Sequence, residues 1–301
     1  MFRNFDEMLE KAQKLPKSSI SVAAADDIDV LKSIKDAAEK GLVDPLLVGN
    51  RKKIEELSSQ IGLKISKEHI IDISNPIEAA EEAVKLVRNG DADIIMKGMV
   101  TSSDFMKAVL SSDYGLRSGK IISHLAAYDI PNFGRVLFLT DGGINIAPDL
   151  NQKVEILQNA VDALVNLGFT EPKVAVLSAV EFVNPHMEAT IHGAALSKMA
   201  ERGQIRHAVI DGPFALDNAI NLEAAKHKGI YGPVAGNADI LLVPNIESGN
   251  ILGKSIIYFA KGVMAGIVLG AAAPIVLTSR AETAYGKLCS IAMASMSRGI
   301  E

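Results

Sequence analysis

Short apolar runs alternate with amphipathic segments along nearly the whole chain, and this alternation constrains the fold more than any other feature. Ile20-Ser21-Val22-Ala23-Ala24-Ala25 has the length and apolar density of a buried strand. Asp26 and Asp27 come next as helix-capping residues. Ile28, Leu31, Ile34 and Ala38 then fall on one helical face before Gly41. Pro45 to Val48 reads as a second strand. Asn75-Pro76 opens a helix that Asn89-Gly90 closes, and Ala92 to Met96 is the next strand. Further strands are expected at 135–140, 173–178, 207–211, 239–243 and 275–278. Helices are expected near 150–167, 187–202, 216–227, 248–270 and 282–298. Strands separated by helices of this length are largely parallel, because a crossover helix returns the chain to the same end of the sheet. The fold class is therefore α/β, with largely parallel sheets covered on both faces.

A length of 301 residues suits two such domains. Ile130-Pro131-Asn132-Phe133-Gly134 marks a boundary between them, since Pro and Gly punctuate the chain there. A net charge of -5 excludes a protein whose affinity comes from neutralising a nucleic-acid backbone. The single Cys289 excludes an intramolecular disulfide and a multi-cysteine zinc site, and suits a reducing cytoplasm. Between Leu288 and Ile291 it reads as a small core residue. Met1 to Lys14 is too charged for a signal peptide. The uncharged run from Gly262 to Ser279 touches the lower length limit of a membrane span, but Pro274 divides it. A buried helix and then a buried strand are expected there, with Gly262, Gly266 and Gly270 on one helix face for close packing.

In open α/β sheets ligands collect beyond the carboxyl ends of the strands, so the residues after each strand carry the functional expectations. Lys97-Gly98 with Thr101 offers an ammonium, a permissive glycine, a hydroxyl and a helix start, which together suit an anion. The same residues also make an ordinary capped turn. Ser279-Arg280 comes directly after the last strand, and an Arg there can hold phosphate in a bidentate fork or simply lie at the surface. The loop from Pro244 to Lys254, with Asn245, Gly249 and Asn250, can approach a ligand backbone-first or serve as plain loop chemistry. Asp211 and Asp217 place two carboxylates near each other, as acids for a ligand or as turn and cap. Asp141-Gly142-Gly143-Ile144-Asn145 is a turn first and a site second. His186 and His192 lack metal-binding spacing, and each histidine is expected to be hydrogen-bonded or exposed. GxSxG and GxGxxG are both absent, which argues against a hydrolase nucleophile elbow and a dinucleotide fold.

Taken in order, four segments resemble the phosphate acyltransferase family that includes phosphate acetyl- and butyryltransferases. They are Lys97 to Asp104, Asp211-Gly212-Pro213 with Asp217, Asp239 to Asn245 with Gly249-Asn250, and Pro274 to Arg280. The resemblance implies two α/β domains of the isopropylmalate dehydrogenase-like kind with a cleft between them. They would span 1–132 plus 274–301, and 133–273. The implied reaction is acyl-CoA + phosphate ⇌ acyl phosphate + CoA, with CoA as substrate and neither a metal nor a bound cofactor. Ser279 and Arg280 are the implied catalytic residues. Lys97, Gly98, Thr101 and Lys107 would bind phosphate, and Asn245, Gly249, Asn250, Asp211 and Asp217 would bind CoA.

The tail from Ser279 to Leu288 is similar to the butyryl branch. Lys107 stands where the acetyl branch has an Arg, and Gly286 where it has an acid, so the thiol base is unassigned; Glu282 is the nearest carboxylate in sequence. The expected partners are short-chain acyl-CoA and inorganic phosphate, without nucleic acid or membrane. A mean hydropathy of +0.20 suits a homo-oligomer. Two other readings remain open: the same chemistry on acetyl-CoA, and a regulator that binds CoA or phosphate ligands without turnover.

Overall fold

Capping residues set many of the element boundaries in the computed structural model, which describes residues 2–277 and 282–298. The helices are α1 (Phe5–Ala12), α2 (Ile28–Glu39), α3 (Arg51–Ile61), α4 (Pro76–Arg88), α5 (Ser102–Val109), α6 (Leu150–Asn166), α7 (Glu188–Glu201), α8 (Leu216–Ile220), α9 (Leu222–His227), α10 (Ile246–Tyr258) and α11 (Ala284–Ser297). The strands are β1 (Ser18–Ala23), β2 (Val43–Gly49), β3 (Ile70–Asp72), β4 (Ile94–Lys97), β5 (Ser123–Asp129), β6 (Leu137–Thr140), β7 (Lys173–Leu177), β8 (Val209–Phe214), β9 (Ile240–Leu242), β10 (Val263–Leu269) and β11 (Ile275–Val276). Asp27 accepts from Asp29 N and Val30 N to start α2. Asn75 caps α4 in the same way, with Pro76 in its first turn. Asp149 and Gln152 cap α6 reciprocally.

The chain packs as two units. One comprises Phe5–Lys120 and the residues from Ala265 onward; the other comprises Met1–Asn4 and Ile121–Met264. In the first unit the strand order is β3-β2-β1-β4-β11-β10. The pairs are parallel except β10 with β11, where Val268 lies opposite Ile275. Ile20, Val22, Leu47, Ile94 and Ile95 fill its core, and α11 is buried from Gly286 to Ser297. That helix satisfies its hydroxyls internally: Ser295 Oγ lies 2.6 Å from Ser18 Oγ, and Ser290 Oγ accepts from Gly266 N. In the second unit the order is β5-β6-β9-β7-β8, parallel except for the β5–β6 pair. Leu137, Leu139, Ala175, Phe214 and Leu241 form its core.

Several expectations change here. Pro131 to Gly134 is the turn of the β5–β6 hairpin, with Asn132 and Gly134 at positive φ, and not a linker. Because β5 is hydrogen-bonded to β6, the chain from Ile121 packs with the strands beyond the hairpin. The division between units falls after Lys120 and Met264, where the sequence suggested 132 and 273. The helix expected at 248–270 ends at Tyr258, and 263–269 is a strand. An uncharged apolar run that is buried on both faces has no periodicity to separate strand from helix. The β-branched residues Val263, Ile267 and Val268 favour the strand. Gly266 therefore sits in β10, and the three glycines share no helix face. Among the described residues no helix is long and apolar enough to cross a membrane. β8 runs to Phe214, so Asp211 lies within a strand; β8 ends the sheet order, which is where a strand tolerates Pro213. Asn221 caps a new helix and splits 216–227 into α8 and α9.

Candidate functional site

The turn after β4 is built around a lysine that folds back on its own backbone. Lys97 is buried, and its Nζ donates to Gly98 O at 3.1 Å and Val100 O at 3.2 Å. Gly98 runs against the exit of β1. Its N–H donates to Ala23 O at 2.8 Å, and a Cβ at this position would stand 2.3 Å from Ala24 O. Only glycine fits such an approach. Thr101 then caps α5: its Oγ1 accepts from Asp104 N and donates to Asp104 Oδ2 at 2.8 Å. That hydrogen bond, followed by Lys107, holds the Asp104 carboxyl below its ordinary range.

Lys97, Gly98 and Thr101 are thus gathered in one turn at the start of α5, with an ammonium and helix-start amides that suit an anion. Lys107 is further along α5, exposed, and ion-paired to Asp104 at 3.2 Å. It borders an open pocket of about 650 Å³ lined also by Ile77, Glu81, Tyr114 and Arg117. Ser279 and Arg280 lie outside the described residues.

In the other unit, the turn after β6 is organised by a carboxylate. Asp141 is 2% exposed and accepts from Gly143 N, Ile144 N, Asn145 N and Asn145 Nδ2 at 2.6–3.2 Å. Gly142 of this turn lies against Gly249 of α10; a Cβ on Gly249 would stand 2.6 Å from Gly142 Cα. Asn245 caps α10, its Oδ1 accepting from Ser248 N and Ser248 Oγ. Asn250 is exposed on the same first turns. Asn245, Gly249 and Asn250 are therefore brought together at one helix start, backed by the Asp141 turn.

Asp211 and Asp217 share no hydrogen-bond partner among the described residues. Asp211 Oδ1 accepts from Gly212 N. Asp217 is ion-paired to Lys228, which holds its carboxyl below the ordinary range, and Lys228 also bonds Glu181. Asp217 is a member of α8 and not its cap, a position that Ala215 takes.

Sequence reasoning missed three polar features. His124 opens β5 with its ring against Gly143, where a Cβ would lie 3.1 Å from Cγ. Its Nδ1 is buried with no hydrogen-bond partner among the described residues, contrary to the expected hydrogen-bonded or exposed histidine. Burial pushes its pKa down, against the opposing charge of Asp141. Lys153 of α6, also buried, lies 2.9 Å from His192 Nδ1 of α7, and burial lowers both pKa values. Nothing in the spacing of Lys153 and His192 signals that pair, since it depends on how two helices pack. The third feature is the buried Lys287 of α11.

Known proteins share this fold and sequence. A family model described as Phosphate acetyl/butaryl transferase matches residues 4–83 and 75–295. The chain is 46% identical over 296 residues to a phosphate butyryltransferase of Clostridium beijerinckii, covering 98% of each. It is 44% identical over 292 residues to a phosphate acetyltransferase of Rhizobium meliloti, covering 97% of this chain and 92% of that one. Its fold is similar to the crystal structure of a branched-chain phosphotransacylase from Enterococcus faecalis, with a TM-score of 0.81 and 32% identity, covering 93% of this chain and 99% of that one. The match extends along nearly the full length in sequence and in structure, and the chain belongs to the phosphate acetyl/butyryl transferase family.

Proposed function

We propose that this chain transfers the acyl group of butyryl-CoA to inorganic phosphate, giving butyryl phosphate and CoA, by direct transfer in a ternary complex. The observation that supports this reading is the Lys97–Thr101 turn, which brings an ammonium and a helix start together in a chain whose residues 4–295 match the family. Lys97, Gly98, Thr101 and Lys107 hold phosphate, Arg280 grips it in a bidentate fork, and Ser279 hydrogen-bonds it or the developing oxyanion. A phosphate oxygen attacks the thioester carbon. The tetrahedral intermediate collapses, the C–S bond breaks, and the leaving thiolate takes up the proton that the attacking hydrogen phosphate gives up. Orientation of the two substrates supplies much of the rate.

Asn245, Gly249 and Asn250 receive CoA at the start of α10. Asp211 is assigned to the CoA side as well, and Asp217 serves there by tethering Lys228. CoA is a substrate, and no bound cofactor enters the reaction. The protein is read as a cytoplasmic homo-oligomer. A second reading, acetyl-CoA as the preferred substrate, is favoured by the similarity to the Rhizobium meliloti acetyltransferase. One methylene in an apolar pocket shifts preference by only about 1–3 kcal/mol, so the two readings share their chemistry.

The test is phosphate-dependent thiol release from acetyl-, propionyl-, butyryl- and valeryl-CoA. A kcat/KM maximum at butyryl-CoA supports the first reading and a maximum at acetyl-CoA the second. Thiol release without phosphate, or none from any of the four, defeats both. Arg280→Ala is expected to raise the KM for phosphate and lower kcat; an unchanged phosphate dependence in folded protein removes Arg280 from the site.

A further inference from the structure

His124 reaches the ligand end of its sheet because β5 runs against its neighbour. β5 is antiparallel to β6, with Ala126 opposite Leu139, and that register sets His124 level with Asp141. Thr140 Oγ1 donates to His124 O at 2.9 Å and ties the strands together there. β6 and β9 are parallel, so the first residues of β5 stand where β6 and β9 end. Ligands collect beyond such strand ends.

Two glycines join His124 to the start of α10. A Cβ on Gly143 would stand 3.1 Å from His124 Cγ and 3.3 Å from its Nδ1, and a Cβ on Gly142 would stand 3.0 Å from the carbonyl carbon of Gly249. The Nδ1 edge of the ring therefore lies against the glycine turn, and Nδ1 is sealed there without a hydrogen-bond partner among the described residues. Asp141 is the charged group that bears on the ring, but its oxygens are taken up by the amides of Gly143, Ile144 and Asn145 and by Asn145 Nδ2. The side chain is partly exposed, and of its two ring nitrogens only Nδ1 is sealed, so the Nε2 edge is the one that opens. A sealed N–H without an acceptor is the rarer arrangement, which assigns the ring proton to Nε2. Burial holds the His124 pKa below its ordinary value, so the imidazole is neutral at neutral pH. Burying a ring nitrogen without a partner costs stability, and packing alone does not call for an imidazole there.

We infer that His124 is a catalytic residue of the acyl transfer, donating a hydrogen bond from Nε2–H to the thioester carbonyl oxygen as it becomes the oxyanion. The inference rests on the reading that places CoA at the start of α10. A neutral donor stabilises negative charge that appears only in the transition state. Unlike an imidazolium, it does not attract phosphate into the place of the carbonyl. The ring neither gives up nor takes a proton; when the C–S bond breaks, its hydrogen bond relaxes onto the carbonyl of the acyl phosphate.

The test is His124→Leu, with His124→Gln as its control, since the Gln amide is a neutral donor that extends about as far as Nε2. In the leucine variant kcat is expected to fall about 100-fold, while the KM for phosphate and the affinity for CoA, which has no thioester, stay within about twofold of wild type. Glutamine is expected to recover about tenfold of the lost kcat. A second readout needs no turnover: the infrared carbonyl band of butyryl-CoA, isotope-labelled at the thioester and bound without phosphate. Wild type and the glutamine variant lower this band relative to the leucine variant. Folded His124→Leu with wild-type kcat overturns the proposal. So does an equal loss of kcat in both variants with the carbonyl band at its wild-type position, which is the signature of a packing role. His124→Asn keeps a polar atom on the Nδ1 side and withdraws the one at Nε2, so it reports even if the leucine variant does not fold; its kcat is expected to fall as leucine's does, and a wild-type rate overturns the proposal. A wild type that releases no thiol with phosphate defeats the functional reading itself, whereas turnover that does not need His124 defeats this proposal alone.

Discussion

The two strand-end turns of this molecule solve opposite electrostatic problems. After β4 the buried charge is a cation, Lys97, and the carboxylate of the turn, Asp104, stands outside as the partner of Thr101 and Lys107. After β6 the buried charge is an anion, Asp141, whose oxygens take up the donors of its own loop. The first turn uses its backbone carbonyls to hold a lysine and leaves a helix start facing outward. The second uses the backbone amides of Gly143, Ile144 and Asn145 to hold an aspartate. One arrangement is suited to receive an anion and the other to hold a shape against which α10 is packed.

Removing the buried anion is the strongest way to break this contrast. Asp141→Ala strands several loop amides at once and is expected to cost about 3–5 kcal/mol, since each hydrogen bond to a charged group contributes about 1.5–3. Chemical denaturation measures it, and a loss below about 1 kcal/mol would mean the turn holds itself. Gly98→Ala is next. Its Cβ meets backbone oxygens that cannot rotate away, so a loss of about 3 kcal/mol is expected, with a raised KM for phosphate in whatever protein folds. Native-like stability would show that β1 and β4 can part without harm.

A pH titration of stability sharpens the comparison further. The folded pKa of His124 lies below its unfolded value, so the unfolded chain binds the proton first as pH falls. Stability is full above about pH 6.5 and declines as pH drops below it toward the folded value. His192 contributes with the same sign. His124→Leu is therefore expected to flatten part of this slope, and an identical slope in the variant would exclude His124 as its source. The smallest effects lie at the exposed acid. Thr101→Ala removes a helix cap and costs about 1 kcal/mol. Asp104→Asn has a smaller effect, seen as a melting difference from wild type. The Asp104 carboxyl is held below its ordinary pKa, so this difference is present at neutral pH and disappears as pH falls through the folded value. A difference that persists in acid would assign it to something other than the carboxylate charge.

Much of the scaffold was legible because its signals are local. Asp27, Asn75 and Asp149 cap helices through bonds to residues two or three positions away, and the strand-helix alternation dictated a mostly parallel sheet. The Lys97 turn was legible for the same reason. The features that escaped depend on partners distant in sequence. Whether 263–269 is helix or strand is decided by pairing with β11 and by Ser290 Oγ reaching Gly266 N. Asp217 read as a ligand acid or a helix cap, and its ion pair with Lys228 depends on a residue further along the chain; His124 looked ordinary until Gly143 closed over its ring. Asp141 read as a turn residue, which it is, but its burial results from packing that no spacing encodes.

The split of the first unit has a consequence for synthesis. The segment from Phe5 to Lys120 lacks β10, β11 and the buried helix α11 until the chain beyond Ala265 has been made. The second unit is almost continuous in sequence, with its main stretch running from Ile121 to Met264. At about 5–20 residues per second the ribosome takes on the order of 10–30 s to cover the intervening stretch. During that time β4 has an unpaired edge where β11 will add, and the hollow that receives α11 is open to water. The later-encoded unit is thus the one free to finish first, while the earlier half, which carries the lysine turn, waits for its own last strand and helix.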